Sequence, residues 1–439
     1  MTTADTLRAD ARACFAAALA AVDPRACVAR CLARDGDALV LRDRDAREVA
    51  RHAGPVVVVG AGKGVAAMAA AAVAALGPAL AHGIVIAPHG TTSAGLGSIA
   101  LRTAAHPVPD AAGVAATTDL LRAVAAAPVD ALVLVLLSGG ASALLVAPAQ
   151  GIAFEEKREL TRALVAAGAE IGGLNAVRKH LSAVKGGGLA RAAAHAAAVW
   201  TLVLSDVVGD DLATIASGPA EADPTTYADA LAVIEHHAIA MPPSIRRHLG
   251  DGAAGAIAET AKPGDPATTR VRSVLVGRNA DALRAAGVEA RRRGYHVTGW
   301  PAALAGDAAI AGRALAHAIA RATSAEAIVA GGETTVRALP GGLGGRSQHL
   351  GLAAALELAG SSAVLLAAGT DGVDGPTDAA GACVDGGTIE RARRRGLDPE
   401  AALAATDSHR LLAATGDLIR TGPTGTNVAD VVVALARPA

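Results

Sequence analysis

The sequence predicts an α/β fold with two Rossmann-like α/β domains, each a mostly parallel sheet covered by helices. Short apolar segments repeatedly end in glycine, serine or aspartate, and alanine-rich helical segments follow them. This alternation of strand, loop and helix is typical of parallel sheets. The segment Val56–Val59 is wholly apolar, which indicates a strand covered on both faces. Because ligands of such sheets bind at the carboxyl ends of strands, we expect functional residues in these loops.

The composition excludes several classes of function. The chain has 439 residues, 52% of them hydrophobic, a net charge of −1 and two residues each of Trp, Tyr and Phe. So few aromatic residues, with no basic stripe, disfavour nucleic-acid binding. No apolar run reaches the roughly 18 residues of a membrane span, and the polar start is unlike a signal peptide. Four cysteines do not indicate a disulfide framework here. We expect a cytoplasmic protein with a small-molecule substrate, no nucleic-acid or membrane partner, and a homodimer as one assembly to test.

The first half contains an amphipathic helix followed by the repeated strand and helix pattern. Apolar and charged residues alternate at helical spacing over residues 4–34, with Pro24 as a potential break. Two prolines predict an extended turn at His106–Asp110. The other predicted elements are a strand at Val56–Val59 with a helix to Leu80, a strand at Gly83–Pro88, a helix at Ala112–Ala126, a strand at Ala131–Leu137, mostly helical structure over residues 155–190, and a strand at Val199–Leu204.

Proline and glycine accumulate over residues 240–270, and we place a domain boundary there. The prediction is an N-terminal Rossmann-like domain of residues 1–265 and a C-terminal α/β domain of residues 266–439. The second half repeats the pattern of strands that end in glycine-rich loops. Its predicted strands are Ser273–Val276, Ala327–Ala330, Ala363–Ala368 and Val431–Leu435.

The loop Gly60-Ala-Gly62-Lys63-Gly64 joins the first apolar strand to an alanine-rich helix. Glycine lets a backbone approach a ligand closely, and a helix start presents unpaired N–H groups with partial positive charge. Lys63 adds a full positive charge, so the loop is predicted to bind an anion such as phosphate. Only five of the 40 basic residues are lysine, which indicates that a compact ammonium is wanted here. The alternative interpretation is a solvated lysine at a helix start.

Stronger nucleotide-binding motifs are absent from this loop. A dinucleotide fingerprint needs a third glycine where Val65 stands and an acid about 20 positions later, yet no Asp or Glu occurs between Lys63 and Asp110. A Walker A loop needs Ser or Thr where Gly64 stands. What remains is glycine-rich loops, isolated cations and an acidic loop, which is the inventory that phosphoryl transfer needs.

Several other polar residues have two interpretations each. Asp371 and Asp374 share one glycine-rich loop, where carboxylates either hold Mg²⁺ or stabilise a turn. Asp206 follows a strand, where it either accepts a proton from a substrate hydroxyl or caps a helix. Lys179 and Lys185 either lie on a helix surface or contribute to binding, and the three glycines directly after Lys185 favour binding for that residue.

The motifs occur in a consistent order along the whole chain. Those of the first half are Gly60-Ala-Gly62-Lys63, His106-Pro-Val-Pro-Asp110, Leu137-Ser138-Gly139-Gly140-Ala-Ser142, Lys179-His-Leu-Ser-Ala-Val-Lys185-Gly-Gly, Ser205-Asp206-Val-Val-Gly209-Asp210-Asp211 and Ser217-Gly218-Pro219. Those of the second half are Gly-Gly-Glu333-Thr-Thr-Val, Gly-Gly-Arg346-Ser-Gln348, Gly369-Thr-Asp371-Gly-Val-Asp374-Gly and Thr421-Gly-Pro-Thr-Gly-Thr-Asn427. Together they resemble the glycerate 2-kinase family, and the second half resembles that family's C-terminal MOFRL domain.

The resemblance implies an enzyme that uses ATP and Mg²⁺ to phosphorylate D-glycerate on its 2-hydroxyl, with the active site in a cleft between two α/β domains. It implies that Lys63 and Arg346 are the catalytic cations. We expect Asp206 to accept the hydroxyl proton, and Asp371 and Asp374 to hold Mg²⁺. The residues expected to bind substrate or nucleotide are Gly60, Gly62, Gly64, Ser138, Gly139, Gly140, Ser142, Lys179, Lys185, Asp210, Glu333, Thr334, Gln348, Thr424 and Asn427.

One loop departs from the family pattern, and two other functional classes stay open. The family usually has Gly-Gly-Arg-Asn-Gln-Glu, whereas this chain has Gly-Gly-Arg346-Ser347-Gln348-His349, which changes how Arg346 is expected to be held. A hydroxypyruvate reductase-type oxidoreductase would act on a similar small acid, although the missing ribose-binding acid disfavours it. A non-catalytic ligand-binding protein on the same fold is supported only by the altered loop around Arg346.

Overall fold

The structure is a computed structural model that describes residues 3–437 and divides into two compact units. The central unit contains residues 24–276. The terminal unit contains residues 3–23 together with residues 277–437. This division differs from the boundary expected at 265/266 in two ways. The first helix belongs with the C-terminal part of the chain, and the last strand of the first sheet starts only at Val271.

Helix α1 (Thr3–Ala21) is held in the terminal unit by long-range polar contacts. Arg8 donates hydrogen bonds to the carboxylates of Asp385 and Asp417, and its Nη1 lies 2.8 Å from the carbonyl oxygen of Cys383. Arg8 and Asp385 are 377 positions apart in the sequence. The N-terminal helix therefore packs on residues from the far end of the chain, which periodicity in the sequence does not reveal.

The central unit combines helices with two sheets. Its α-helices are α2 (Pro24–Cys31), α3 (Val65–Leu76), α4 (Ala111–Ala125), α5 (Ala141–Leu144), α6 (Phe154–Ala166), α7 (Ile171–His180), α8 (Gly188–Ala192), α9 (Tyr227–His236), α10 (Pro243–Ala253) and α11 (Pro266–Thr269). Short 3-10 helices occur at Gly77–Ala79 and Ile215–Ser217. The strands are β1 (Leu32–Asp35), β2 (Ala38–Arg42), β3 (Glu48–His52), β4 (Val56–Ala61), β5 (Leu80–Pro88), β6 (Ile99–Ala104), β7 (Leu132–Leu137), β8 (Ala198–Leu204) and β9 (Val271–Gly277).

Six strands form the main sheet of the central unit, in the order β6-β5-β4-β7-β8-β9. The pairings from β6 to β8 are parallel, and β4 and β7 are buried along their whole length. This confirms the predicted α/β fold class and the prediction of a covered parallel strand. In the register, Ala61 at the end of β4 lies beside Leu137 at the end of β7. The loops that contain Gly62 and Ser138 are therefore neighbours at the carboxyl ends of these central strands.

The segment after Cys31 differs from the sequence prediction. Helix α2 begins at Pro24, which confirms the break, but residues 32–34 are not helical. Strands β1, β2 and β3 instead form a small antiparallel sheet, and β1 and β2 are joined by the two-residue turn Gly36-Asp37. Gly36 has φ +61°, as a tight hairpin turn requires. The charged residues that suggested a continuing helix lie on an exposed antiparallel strand.

The terminal unit has a helical layer and one sheet. Besides α1, its helices are α12 (Asn279–Arg292), α13 (Ala308–Ala320), α14 (Arg346–Leu358), α15 (Thr388–Arg394), α16 (Pro399–Ala404) and α17 (Ser408–Thr415). Its strands are β10 (His296–Gly299), β11 (Glu326–Gly332), β12 (Ala363–Gly369), β13 (Gly381–Asp385), β14 (Leu418–Ile419) and β15 (Asp430–Ala436). Between residues 3 and 437, no helix is both long and apolar enough to cross a membrane.

The sheet of the terminal unit is mixed, so the prediction of a second mostly parallel sheet was wrong. The strand order is β10-β11-β15-β12-β13-β14, and only β10 and β11 pair in parallel. All other neighbours are antiparallel. The last strand, β15, lies between β11 and β12 and runs opposite to both. Glycine-rich loops after apolar strands thus predicted the strands but not the direction of their neighbours.

Candidate active site

In the central unit, the loop from Ala61 to Val65 is fixed by its backbone. The N–H of Gly62 donates to the carbonyl oxygen of Ile86 at 3.1 Å, and the N–H of Lys63 donates to that of Gly139 at 2.8 Å. The N–H of Gly64 donates to Oγ of Ser138 at 2.9 Å. Helix α3 begins directly afterwards, so the half-buried Lys63 lies at a helix start, as predicted. Neighbouring strand ends therefore set the position of this lysine.

The glycines of this loop are needed for close contact between backbone segments. Gly62 has φ +138°, and a Cβ there would lie 2.1 Å from Oγ of Ser138. A Cβ on Gly60 would lie 2.2 Å from the carbonyl oxygen of Leu136. Gly140 has φ +84°, and a Cβ there would lie 2.8 Å from Nε2 of His106. We expected glycine here for the approach of a ligand, whereas in the structure the glycines first allow two loops to approach each other.

Lys185 is buried and its ammonium group faces the Ser138–Ser142 loop. Its Nζ lies 2.9 Å from the carbonyl oxygen of Ser142, 3.1 Å from Oγ of Ser142 and 3.2 Å from the carbonyl oxygen of Ala216. The hydroxyl of Ser217 lies 2.8 Å from that of Ser142. Burial, with repulsion from Lys157 and Arg178, lowers the pKa of Lys185 well below its ordinary value. The interpretation of Lys185 as a charge on a helix surface was therefore wrong.

Lys179 and the two aspartates after β8 have different surroundings. The ammonium of Lys179 is buried and forms an ion pair with Asp223, with an N–O distance of 3.1 Å. This pairing gives Lys179 a structural partner that the sequence did not reveal, and its expected place in a binding site is not supported. Asp206 does not cap a helix, because the next helical segment begins at Ile215. Asp210, in the same loop, has φ +56°. The functional roles expected for Asp206 and Asp210 stay predictions.

In the terminal unit, Arg346 is held by two carboxylates, one directly after β11 and one at the start of β15. Its Nε lies 2.7 Å from Oδ2 of Asp430 and its Nη2 lies 3.0 Å from Oδ1, so the pair is bidentate. Its Nη1 donates to Oε1 of Glu333. Asp430 is the first residue of β15 and pairs with Gly332 of β11 on one side and with Gly369 of β12 on the other. The central position of β15 thus brings these loops to Arg346.

Asp430 is a functional candidate that sequence reasoning missed. Burial raises the pKa of this carboxyl to about 6, and the charges of Asp374 and Glu333 add to the rise, while Arg346 opposes it. Asp430 and Glu333 raise the pKa of the Arg346 guanidinium, against the effect of burial. The sequence feature that could have identified Asp430 is its position as a single acid directly before the apolar segment Val431–Leu435. A carboxylate at such a position is buried at a strand start and needs a cationic partner.

Asp374 caps helix α14 and does not present an open metal ligand. Its Oδ1 accepts from the N–H of Ser347 at 3.0 Å, and its Oδ2 accepts from the N–H of Gln348 at 2.8 Å and from Nε2 of Gln348 at 3.0 Å. The residue is 4% exposed, and burial raises its pKa. Within residues 3–437, no group of three or more His, Cys, Asp or Glu side chains is arranged to hold a metal ion. The predicted metal role of Asp374 is therefore corrected to a helix cap.

Gln348 joins this cap to a neighbouring helix. Besides Asp374, its Nε2 donates to Oγ1 of Thr377 at 3.0 Å, and its Oε1 lies 2.8 Å from Nδ1 of His409 on α17. Gln348 is fully buried. It therefore fixes the start of α14, which contains Arg346, against the loop that follows β12. This geometry supports a positioning role and not the expected direct contact with substrate.

The remaining predicted residues of the terminal unit lie in the loops around these strands. The hydroxyl of Thr424 donates to the carbonyl oxygen of Thr370 at 2.5 Å, and its N–H donates to that of Asp371 at 3.2 Å. Oδ1 of Asn427 accepts from the N–H of Ala429 at 3.3 Å. The hydroxyl of Thr334 is buried and has no hydrogen-bond partner within the described residues. An unsatisfied buried hydroxyl is a group that a bound ligand could satisfy.

Comparison with known proteins covers nearly the whole chain. A family model described as a domain of unknown function (DUF4147) matches residues 10–250, and the MOFRL family model matches residues 326–430. The D-glycerate 2-kinase of Thermotoga maritima is 39% identical over 388 residues, which cover 87% of this chain and 90% of that protein. A putative hydroxypyruvate reductase of Agrobacterium vitis is 42% identical over 430 residues, which cover 96% of this chain and 92% of that protein.

The solved structures include a close structural match. The crystal structure of a glycerate kinase from Thermotoga maritima superposes with a TM-score of 0.85 at 35% sequence identity. The alignment covers 98% of this chain and 100% of that chain. Both units described above are therefore represented in the relative, since so little of either chain lies outside the alignment.

Proposed function

Because this chain belongs to the glycerate 2-kinase family, we propose that it transfers the γ-phosphoryl group of ATP to the 2-hydroxyl of D-glycerate. The hydroxyl oxygen forms a bond to the γ-phosphorus while the bond from that phosphorus to the β,γ-bridging oxygen breaks. The products are 2-phosphoglycerate and ADP. The enzyme class rests on the family, whereas ATP as donor and the 2-hydroxyl as acceptor are parts of the proposal.

The observation that carries the proposal is the loop around Lys63. It places an ammonium group at the start of α3, with the backbone fixed on the ends of β5 and β7. Phosphoryl transfer depends on cations fixed around the phosphates before reaction, because charge is spread over the phosphoryl oxygens in the transition state. A lysine that is held through its own backbone meets that need. Gly60, Gly62 and Gly64 shape the loop, which supports their expected place in the site.

Arg346 is proposed as the second catalytic cation. Its guanidinium is fixed by Asp430 and Glu333, and α14 begins at this residue. Because side-chain pairs hold it in one orientation, little rotamer freedom is left to lose when a phosphate binds. The change to Ser347 and His349 in this loop leaves that arrangement intact, since neither side chain is among the partners that fix the guanidinium.

Asp206 is proposed to accept the proton of the attacking hydroxyl. It follows Ser205 directly after β8, at the carboxyl edge of the main sheet, where ligands of such sheets bind. Ser138, Gly139, Gly140 and Ser142 are proposed to contact the acid substrate from the loop after β7. The residues that we propose to contact substrate or nucleotide from the loops described above are Asp210, Glu333, Thr334, Thr424 and Asn427.

Mg²⁺ is expected to accompany ATP, and Asp371 fits it better than Asp374 does. Mg²⁺ keeps several waters and needs only one or two protein carboxylates. Asp371 is half-buried, and one of its carboxylate oxygens accepts from the N–H of Val373 at 3.1 Å. When bound, Mg²⁺ neutralises charge on the phosphates. Asp371 is therefore the residue that we propose as its protein ligand.

A reductase is the second candidate, because two relatives from Agrobacterium vitis are named putative hydroxypyruvate reductase. The structure offers that reaction no ribose-binding acid at the expected position. Strand β5, the parallel neighbour of β4, ends at Pro88 and is followed by His89. His89 is exposed, and its Nε2 lies 3.1 Å from the carboxylate of Asp110, which caps α4. NAD(P)H-dependent reduction of hydroxypyruvate by the purified protein would establish this alternative.

The decisive experiment is an assay with ATP, Mg²⁺ and D-glycerate, coupled through enolase and pyruvate kinase without phosphoglycerate mutase. ADP release is followed separately. We expect a coupled signal without the mutase, because enolase acts on 2-phosphoglycerate. A signal that requires the mutase would identify 3-phosphoglycerate and overturn the proposed acceptor hydroxyl. Absence of ADP release with D-glycerate would overturn the proposed function and favour a binding protein.

A further inference from the structure

The central unit contains a cavity of about 360 Å³ next to the Ser138–Ser142 loop. Its volume is at the lower end of the range for small-molecule sites, roughly 300–1,000 Å³. Its walls are partly apolar, formed by residues such as Val146, Phe154 and Val165. The basic and imidazole side chains that line it are His106, Lys157, Arg158, Arg162, Arg178 and Lys185, and none of its lining residues is Asp or Glu.

Two of these cations, Lys157 and Lys185, are buried, and a third, Arg178, is half-buried, all without a carboxylate partner. Nζ of Lys157 donates to the carbonyl oxygen of Leu181 at 2.8 Å, and Lys185 contacts only hydroxyl and carbonyl oxygens. Within residues 3–437, Lys157, Arg178 and Lys185 form no ion pair. Buried charges in proteins are normally paired, because an isolated buried ion has lost its hydration without compensation.

The pKa values of the same groups are lowered, which reflects the free-energy cost of this arrangement. Burial, followed by repulsion from Arg178, lowers the pKa of Lys157 to about 7. Burial also lowers the pKa of Arg178. An anion in the cavity would offset this desolvation and repulsion. The geometry therefore favours an acidic ligand over a neutral one.

We propose that this cavity is the acid-binding site of the enzyme, in which Arg178 pairs with the carboxylate of the hydroxy acid and Lys157 and Lys185 support it. The inference deepens the proposed function and rests on it for the identity of the acid. The cavity borders the loop that contains Lys63. Gly140 lines the cavity, and a Cβ on Gly140 would lie 3.4 Å from Cγ of Lys63. An acid held by Arg178 would thus be bound beside the loop that positions Lys63.

The test replaces Arg178 and compares acid binding with nucleotide binding. In Arg178→Met we expect KM and Kd for D-glycerate to rise on the order of 10- to 100-fold, because a hydrogen bond between charged groups is lost. KM for ATP should not change. The melting temperature of the ligand-free variant should stay level or rise, because an unpaired, half-buried charge is replaced by an apolar chain of similar length. Arg247→Met makes the same chemical change at an exposed position on α10 and should alter none of these values.

Each outcome decides between a binding role and a structural one. Unchanged Kd for D-glycerate in Arg178→Met would overturn the inference, as would a lower melting temperature with equal weakening of acid and ATP. If that variant does not fold, Arg178→Lys keeps the charge but not the fork of the guanidinium, and an unchanged Kd there would also overturn it.

Failure of the proposed function is recognised separately. If the unaltered protein does not phosphorylate D-glycerate, calorimetry with 2-phosphoglycerate and inorganic phosphate tests the cavity directly. Binding that Arg178→Met weakens by the same 10- to 100-fold order would retain the anion site without that substrate. Absence of any such binding would overturn the site as well.

Discussion

The two proposed catalytic cations are positioned in opposite ways. Lys63 is placed through its backbone, by hydrogen bonds to Gly139 and by the close packing of Gly62 on Ser138. Arg346 is placed through its side chain, by bidentate contact with Asp430. The same chemical role therefore has different structural consequences. The hydrogen bonds that place Lys63 are made by its backbone, whereas the guanidinium of Arg346 neutralises a buried carboxylate.

The largest expected effect is on turnover when either cation is removed. Lys63→Ala and Arg346→Ala should each lower kcat on the order of 100- to 1,000-fold, as loss of one preorganised charge does in other enzymes. Arg346→Ala should also lower the melting temperature by more than Lys63→Ala does, because Asp430 then loses its counter-charge. Steady-state kinetics and thermal unfolding of both purified variants measure this. Near-normal kcat in either variant would remove that residue from the mechanism, and equal melting temperatures would break the comparison.

The next effect concerns the backbone that places Lys63. Gly62→Ala should destabilise the central unit by about 3 kcal/mol, because the new Cβ overlaps Ser138 and the residue has positive φ. Gly172→Ala, on α7, is the matched control, since nothing lies within 4 Å of a Cβ there. That control should be neutral or stabilise by up to about 1 kcal/mol. Denaturant unfolding of both variants measures the difference, and a Gly62→Ala variant as stable as the control would contradict the close packing.

A smaller effect is expected when the cap of α14 is removed. Asp374→Ala should destabilise the terminal unit by about 2 kcal/mol, because buried N–H groups of Ser347 and Gln348 lose their acceptor. The control Asp398→Ala removes an exposed cap from α16 and should cost about 1 kcal/mol or less. The apparent affinity for Mg²⁺ should be the same in both variants. Selective loss of Mg²⁺ affinity in Asp374→Ala would restore the metal role that the structure does not support.

The smallest expected effect is a change in the pH profile. The carboxyl of Asp430 has its pKa raised to about 6, so protonation below that pH removes the charge that holds Arg346. We expect kcat/KM to fall as pH decreases through about 6, and Asp430→Asn to flatten this limb at a level about tenfold lower. The pH dependence of folding stability runs in the opposite direction to that of kcat/KM. Because the folded pKa exceeds the ordinary 3.8, the contribution of this group to stability is lost as pH rises through about 6. An acid limb that persists unchanged in Asp430→Asn would assign it to another group.

Much of the fold followed from local patterns. The apolar strand Val56–Val59, its glycine loop and the helix after it are found as predicted, because burial on both faces and a helix start are local properties. The direction of β15 was not predictable, since it depends on which strands lie beside it. The small sheet at residues 32–52 was missed because alternating apolar and charged residues fit a helix and an edge strand alike over a short span.

The candidate site residues show the same limit on what local sequence patterns can predict. Lys63 and Arg346 could be proposed from the sequence because glycine-rich loops around a single cation are visible there. Asp430 and Arg178 were not singled out because each lies in an ordinary segment, a strand start and a helix, and the role proposed for each depends on residues distant in sequence. The ion pair of Lys179 was missed for the same reason, since its partner Asp223 is 44 positions away.

The position of helix α1 has a consequence for the synthesis of this chain. The central unit is one continuous stretch, so it can fold as soon as its residues have left the ribosome. Helix α1 emerges before the central unit but packs on residues such as Asp385, which follows Arg8 by 377 positions. At about 5–20 residues per second, roughly 20 to 75 seconds pass before that partner is made. During this interval the apolar face of α1 is exposed to chaperones and to other nascent chains. The central unit, which lies in the sequence between α1 and the residues that α1 packs on, is by then already synthesised.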